Sequence, residues 1–227
     1  MTAQLVKLQS APDLVDRVYR ALLDAICEGT LAPGARLTQE EIAEQLAVSR
    51  QPVLQALRLL KKDGLVHDAP GRGLLVAPLD PGWIARVYEV RGALDGLAAR
   101  LAAGRRVKLD PRLVEGGRRA ARGRNIKAMV EADIAFHQAI YEASGNPLIG
   151  DSAQIHWVHL RRVMGAVLQS APQREALWDE HAAIADAIAA GDAERAASLT
   201  SHHALRASEN LRTRLTDVLA TPAKGHP

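Results

Sequence analysis

The chain has 227 residues, of which 48% are hydrophobic and only 3% aromatic, so it has enough apolar surface for a large core but lacks the residues of a strand-rich sandwich. A single cysteine excludes an internal disulfide framework, and the lack of any apolar run of roughly 18 residues or of a signal sequence predicts a cytoplasmic protein with no membrane partner. The net charge is +3, but residues 1–78 hold nine basic and nine acidic residues, so charge alone does not indicate DNA binding.

Residues 1–78 have the pattern of three short helices. Apolar residues recur at helical spacing over 13–28, which predicts the first helix. Thr38 is followed three residues later by Glu41, the spacing of a capping box, so a short second helix is expected there. Ser49 as an N-cap and Pro52 in the first turn predict a third helix.

A small hairpin is predicted after the third helix, because two short apolar segments surround the turn Ala-Pro-Gly-Arg-Gly. Three helices with a tight turn between the second and third, followed by a hairpin, are typical of a winged helix-turn-helix, which places a helix N-terminus in the major groove of DNA. A three-helix bundle with a surface hairpin and no ligand has the same pattern. The pattern alone leaves both interpretations open.

The outer face of the third helix carries Arg50, Leu54 and Arg58 at intervals of four residues. The arginines suit guanine or phosphate, and the leucine suits the methyl group of thymine. Packing of Leu54 on the second helix or on the hairpin is the structural alternative. Arg72 in the hairpin turn is a candidate phosphate contact, or an ordinary solvated charge.

The run EGTLAPGARLTQEEIAEQLAVSRQPVLQALRLLKKDGLV, with GRG in the hairpin, resembles the DNA-binding domain of the GntR family of bacterial transcription regulators. The resemblance implies that the third helix is the recognition helix and that the protein binds double-stranded operator DNA as a homodimer. The sequence has Leu54, Ala47 and Gln39 at or near positions where the family usually has arginine, glycine and glutamate. The candidate DNA-binding residues are Thr38, Ser49, Arg50, Gln51, Leu54, Arg58 and Arg72.

A stiff segment with Pro78 and Pro81 follows, and we interpret 79–83 as a linker after a DNA-binding domain at 1–78. Beyond it, helical spacing and proline helix starts predict an all-α antiparallel bundle at 84–222, with a tail at 223–227. The expected fold class is mainly α. The six predicted helices of the bundle cover about 83–103, 111–122, 126–143, 147–169, 172–190 and 193–219.

Residues 100–127 contain ten lysines and arginines and only two acidic residues. This run would extend a DNA contact, or it would form a solvated or inter-domain face. The second interpretation is favoured, since charge runs on helices are usually solvated.

Three histidines and an aspartate in the bundle suggest a metal site. Asp133 and His137 are four residues apart and project from one side of a helix. His181 lies ten residues before a Gly-Asp turn and His203 eleven after it, so antiparallel helices place both imidazoles at the same height. His203, and not His202, falls on the apolar stripe. Such a set suits a divalent transition metal, although each histidine alone would be unremarkable.

The segments VYEVRGALDGLAARLAA, ADIAFHQAIYEASGNPLI and EHAAIADAIAAGDAERAASLTSHH together resemble the FCD effector domain of the FadR subgroup, over roughly 84–218. The resemblance implies that the aspartate and the three histidines bind zinc, nickel or manganese, and that a small carboxylic-acid effector reaches the metal. Asn146 is equally suited to capping a helix. The candidate effector contacts are Arg91, Arg161, Arg162 and Asn146.

We therefore expect a ligand-responsive transcription regulator, a repressor and not an enzyme, whose DNA affinity is modulated by the acid. One alternative is a metal-dependent hydrolase, because zinc held by three histidines and an aspartate activates water. Glu180 is its only candidate base, and it is expected to point about 100° away from His181 on the helix. The other alternative is an effector-independent DNA-binding protein.

Overall fold

The computed structural model describes residues 14–168 and 175–220 of a chain that divides into two compact units, 1–78 and 79–227. Among the described residues, the first unit has three helices and a small sheet and the second has six helices, which confirms the predicted mainly α fold class. None of the helices described is long and apolar enough to cross a membrane. The predicted helix starts at Asp13 and Pro172 and the predicted tail lie outside the described residues.

The three helices of the first unit are α1 (Leu14–Cys27), α2 (Gln39–Gln45) and α3 (Arg50–Lys62). The predicted capping box opens α2: the Thr38 hydroxyl accepts the Glu41 N–H at 3.3 Å and donates to the Glu41 carboxylate at 2.7 Å. Leu46, the residue that follows α2, is 37% exposed although it is apolar. The shared core of this unit includes Val18, Leu22, Ile26, Val53, Leu57 and Leu60.

The turn between α2 and α3 contains a strained residue. Ala47 has φ 51°, in the left-handed region that an L-residue with a Cβ adopts only at a cost. The flanking backbone fixes this conformation, because Ala47 N–H donates to the Glu44 carbonyl and Val48 N–H to the Ala43 carbonyl. The family glycine that Ala47 replaces would adopt this φ without that cost.

The sheet has three antiparallel strands, β1 (Arg36–Leu37), β2 (Val66–Asp68) and β3 (Leu74–Val76), in the order β1-β3-β2. The predicted hairpin is β2–β3, while β1 is too short for any sequence periodicity to reveal it. Gly73 lies on the strand edge with φ 91°, and a Cβ there would be 2.8 Å from the Leu37 carbonyl oxygen, so the turn requires glycine. The Arg36 side chain binds the Arg72 carbonyl, which ties β1 to the hairpin turn.

The second unit consists of α4 (Pro81–Gly104), α5 (Pro111–Arg122), α6 (Ile126–Ser144), α7 (Pro147–Val167), α8 (Ala176–Ala190) and α9 (Ala193–Ala220). Helix α4 begins two residues earlier than predicted, because Asp80 caps it by accepting the Gly82 N–H at 2.8 Å. The segment 79–83 interpreted as a linker therefore overlaps the first turn of α4.

Helices α4 and α9 form the most extensive pair in the bundle. Small residues allow their close approach: a Cβ on Gly92 would lie 3.4 Å from the Ala204 Cβ, and one on Gly96 would lie 3.1 Å from the Ser201 hydroxyl. The close approach of the two helices places the inner face of α4 beside His203 on α9.

Many of the basic residues in the run 100–127 contact other residues of this unit. Arg105 and Arg106 lie against Gly145 and Gly191, the left-handed residues that end α6 and α8. A cation at a helix C-terminus interacts favourably with the helix dipole. Further ion pairs join Arg100 to Glu194, Arg112 to Asp110, Arg118 to Asp179 and Arg122 to Glu175.

Candidate functional site

Asp133, His137, His181 and His203 converge inside the second unit. All four are buried, and each contributes one donor atom to a group whose atoms lie within 4.8 Å of one another. Asp133 and His137 are one turn apart on α6, whereas α8 and α9 return past each other through the turn at 191–192. The ring centroids of His181 and His203 are consequently 4.6 Å apart, while His202 is exposed.

The histidines of this cluster have unsatisfied nitrogens. Both ring nitrogens of His137 and of His181 are buried, and none has a hydrogen-bond partner among the described residues. Unpaired buried polar atoms cost free energy unless a ligand satisfies them. Burial also lowers the pKa of both imidazoles well below the ordinary value, so they are in the neutral form that coordinates metals.

A divalent cation fits this donor set. Burial raises the pKa of Asp133, whose carboxylate lies 3.4 Å from His181 Nε2. A cation between them would offset the cost of the buried negative charge and accept the lone pairs of the imidazoles. Three nitrogens and one oxygen are the ligand types of zinc, nickel and manganese sites.

Glu180 contacts one of the three histidines of the cluster, His203, through its carboxylate. Its Oε2 lies 3.0 Å from His203 Nδ1, and its other oxygen accepts from Arg206. The hydrogen bond from His203 lowers the pKa of Glu180, which keeps the carboxylate charged. Such a contact fixes the ring and leaves Nε2 as the metal donor. The sequence analysis considered Glu180 only in relation to His181 on the same helix, whereas the structure places His203 of α9 against its carboxylate.

A second buried network lies on the α4 side. Arg91 and Asp95 are 2% and 1% exposed and form an ion pair at 3.1 Å, with the guanidinium stacked 3.7 Å over the Trp157 ring. Tyr141 donates a hydrogen bond to Asp95, and the other Asp95 oxygen is 3.6 Å from His137 Nδ1. Sequence reasoning missed Asp95, although its i, i+4 spacing from Arg91 was a usable signal.

A cavity of about 320 Å³ adjoins the cluster, a size that suits a small organic ligand. Asp133 and His203 form part of its wall. Much of the remaining wall is apolar, with Met129, Met164, Leu168, Trp178 and Leu211. The other polar or charged side chains that line it are Tyr88, Arg91, Glu180, Arg206, Asn210 and Arg214.

Of the four predicted effector contacts, only Arg91 lines this cavity. Arg161 and Arg162 on α7 do not, and Arg162 is buried elsewhere in the bundle. Asn146 is the N-cap of α7 and accepts the Leu148 N–H at 3.2 Å, which gives it a structural role. The cavity instead receives the α9 side chains at 206, 210 and 214.

The predicted DNA-binding residues lie in the first unit. Ser49 precedes α3, and its hydroxyl makes no cap hydrogen bond, so it is available to a phosphate. Leu54 is half-buried, and the Thr38 hydroxyl is occupied by the α2 cap. The exposed members of the set are Ser49, Arg50, Gln51, Arg58 and Arg72.

Arg50 has an intramolecular partner that sequence reasoning missed. Its guanidinium lies 3.1 Å from the Glu40 carboxylate, and both side chains are exposed. Gln39 donates to the Arg50 carbonyl at 2.6 Å. The first turn of α3 is thus tied to α2 on the side that carries the candidate DNA contacts.

Comparison with known proteins covers both units. Residues 14–76 match the bacterial regulatory proteins of the gntR family, and residues 86–206 match the FCD domain. An uncharacterized HTH-type transcriptional regulator in an unstable DNA locus of Streptomyces ambofaciens is 31% identical over 92% of this chain and 91% of its own length. The HTH-type transcriptional repressor RspR of Escherichia coli K12 is 26% identical over 86% of this chain and 88% of its own.

A solved structure shows the same fold. Escherichia coli McbR/YncC superposes with a TM-score of 0.76 at 22% identity, covering 90% of this chain and 99% of that one. This likeness extends over both the helix-turn-helix unit and the helical bundle and shows a shared fold. The chain belongs to the gntR family of bacterial regulatory proteins and carries an FCD domain after its DNA-binding unit.

Proposed function

We propose that the protein is a ligand-responsive repressor that binds operator DNA as a homodimer and whose DNA affinity is modulated by a small carboxylic acid at a divalent metal. The observation that carries this proposal is the set of buried imidazole nitrogens that have no hydrogen-bond partner among the described residues and lie beside a cavity, in a chain that also has a helix-turn-helix. A structural histidine core would satisfy those nitrogens internally.

The metal would be held by Asp133, His137, His181 and His203. When bound, it supplies a positive centre that attracts a carboxylate in its open coordination positions. Arg91 lies in the same cavity wall and adds a second positive charge, which Asp95 holds in place. Glu180 orients the His203 ring toward the cluster.

Operator contacts would be made by the exposed start of α3. The Ser49 hydroxyl suits a phosphate, and Arg50 suits the O6 and N7 atoms of guanine. Half-buried Leu54 presents its exposed part between Arg50 and Arg58, where a thymine methyl would fit. Arg72 in the hairpin turn would contact the backbone.

A homodimer would provide two such helices for two half-sites. Support comes from α4, where Trp83, Val90 and Leu97 recur at intervals of seven residues and are 46%, 49% and 43% exposed. Exposed apolar residues aligned on one helix face mark interaction surfaces. A second copy of the chain is the partner that binding to two half-sites requires.

Metal analysis combined with operator binding tests the proposal. We expect the purified protein to contain about one transition-metal ion per chain, and the His181→Ala variant to lose it. His202→Ala is the matched control, because His202 is the exposed neighbour of His203. DNA selected from a random library would then be titrated with protein in the presence of succinate, citrate or acetate, with and without chelator.

The expected result is an acid-dependent change of DNA affinity that chelation abolishes. Equal metal content in the His181→Ala variant and wild type would reject the site. An acid response that persists in chelator would reject the coupling, and a metal-loaded protein with no acid response would support effector-independent DNA binding.

The hydrolase alternative has one point in its favour, because Glu180 borders the cavity. Its carboxylate is, however, engaged by both His203 and Arg206 and is not free to take a proton from water. Zinc-loaded protein assayed with p-nitrophenyl acetate separates the two functions. Turnover that disappears in the His181→Ala variant would favour the hydrolase.

A further inference from the structure

One face of α9 extends from the candidate metal centre along the cavity. His203, Arg206, Asn210 and Arg214 follow one another at intervals of three and four residues, and all four line the cavity. Side chains at this spacing share one helix face. The face therefore carries one candidate metal ligand followed by three polar groups.

The two arginines of this face differ in their partners. Arg206 is ion-paired to Glu180, so its charge is compensated. Arg214 is half-buried, and within the described ranges it makes no ion pair or hydrogen bond. The Asn210 amide is exposed, and within the same ranges it also has no hydrogen-bond partner. The far part of the cavity therefore has an uncompensated positive charge and an amide, which together suit an anion.

Asn210 and Arg214 lie farther along α9 than the candidate metal centre. Asn210 is seven and Arg214 eleven residues beyond His203, which corresponds to about 10 Å and 16 Å along the helix axis. Helical side chains lean toward the N-terminus, so the Arg214 guanidinium is directed back along the cavity. The wall of the cavity also contains the apolar side chains of Met129, Met164, Leu168, Trp178 and Leu211.

We infer that the effector carries two acidic groups at the ends of an apolar chain, one held at the metal centre and the other by Arg214 and Asn210. This inference rests on the proposed function, since the first acidic group needs the metal. The class of ligand is a straight-chain dicarboxylate or an acid with an equivalent distal anion. A monocarboxylate would leave Arg214 uncompensated.

Calorimetric titration of the full-length, zinc-loaded protein tests the inference. The probes are the straight-chain diacids from glutarate to sebacate, each compared with the monoacid of equal carbon number. We expect at least one diacid to bind about tenfold more tightly than its monoacid, the typical contribution of a charge-assisted hydrogen bond. Arg214→Gln should remove this advantage and leave the monoacid affinity within about twofold.

Arg212→Gln is the matched control, because Arg212 is exposed on the same helix and does not line the cavity. It should leave both affinities unchanged. Equal affinities for every diacid and its monoacid, or equal weakening of both by Arg214→Gln, would overturn the distal anion site while zinc-dependent acid binding stands. If no acid of either series binds in a zinc-dependent manner, the proposed function fails and the inference with it.

Discussion

The Arg50 guanidinium at the start of α3 lies 3.1 Å from the Glu40 carboxylate on α2, so the candidate guanine-reading side chain is already ion-paired in the free protein. DNA binding must replace this pair with a contact to base or phosphate. An exposed ion pair contributes little free energy, so the need to break it reduces DNA affinity only modestly.

Replacement of Glu40 by glutamine should therefore strengthen operator binding by about two- to fivefold, the effect of an exposed ion pair. Fluorescence anisotropy with the selected operator measures it. Glu44→Gln removes the same charge from the same helix and is the control for long-range electrostatics. Equal gains of operator affinity in both variants would show that the Arg50–Glu40 ion pair does not compete with DNA binding.

The Leu54 side chain should set the base preference at one position of each half-site. Leu54→Arg is expected to replace a preference for thymine by one for guanine, because arginine pairs with guanine O6 and N7. Repeated selection of binding sites from a random library provides the measurement. Identical preferences at every position would mean that Leu54 only packs within the protein.

Glycine at position 47 should relieve the backbone strain in the turn between α2 and α3. Ala47→Gly is expected to raise the free energy of unfolding of the first unit by about 1 kcal/mol, because a Cβ in the left-handed region costs roughly that amount. Thermal and urea unfolding measure the change. Ala32→Gly, in an exposed turn outside the left-handed region, should destabilise instead. A stability loss in both variants would contradict the assignment of strain.

The contact between Gly117 and Trp178 leaves no room for a methyl group. A Cβ on Gly117 would fall 2.0 Å from the indole ring, so Gly117→Ala should destabilise the bundle by about 1–3 kcal/mol and shift the tryptophan fluorescence. Trp178 also lies 4.5 Å from the His181 ring, and metal affinity should fall as well.

Gly116→Ala provides the control for that experiment. The nearest atom to a Cβ on Gly116 is 4.0 Å away, and alanine is the better helix former, so this variant should be as stable as wild type or more so. Comparable losses in both variants would indicate a general effect on α5.

The contact of Glu180 with His203 should matter for the metal although Glu180 is not a ligand. Glu180→Gln is expected to weaken zinc affinity by about 10- to 100-fold, because the glutamine holds the imidazole less firmly in its ligating orientation. Titration against a competing chelator measures the affinity. Glu209→Gln, an exposed acid on α9, should have no effect. Unchanged affinity in Glu180→Gln would exclude a supporting role.

Much of the fold could be predicted from local signals. The capping pair Thr38–Glu41 and the proline starts at Pro111 and Pro147 fix helix starts through short-range hydrogen bonds and backbone restriction, which a sequence shows directly. Strand β1 could not be predicted, since two residues have no periodicity. The predicted start of α4 lies two residues too late, because Asp80 caps the helix ahead of Trp83.

The candidate ligands could be predicted because their relative positions depend on spacing within one helix or one helical hairpin. Asp133 and His137 are one turn apart, and the turn at 191–192 sets the register of His181 against His203. Contacts between helices that are distant in sequence depend on how each helix is rotated. This is why Arg161 and Arg162 were expected at the cavity and Arg214 was not.

The four candidate ligands come from three helices and span the chain from Asp133 to His203. A shared ion would act as a cross-link that closes long loops between α6, α8 and α9. Such a cross-link must break before these helices separate. Its main effect would fall on the rate of unfolding, so the lifetime of the folded bundle in a cell would follow the supply of metal.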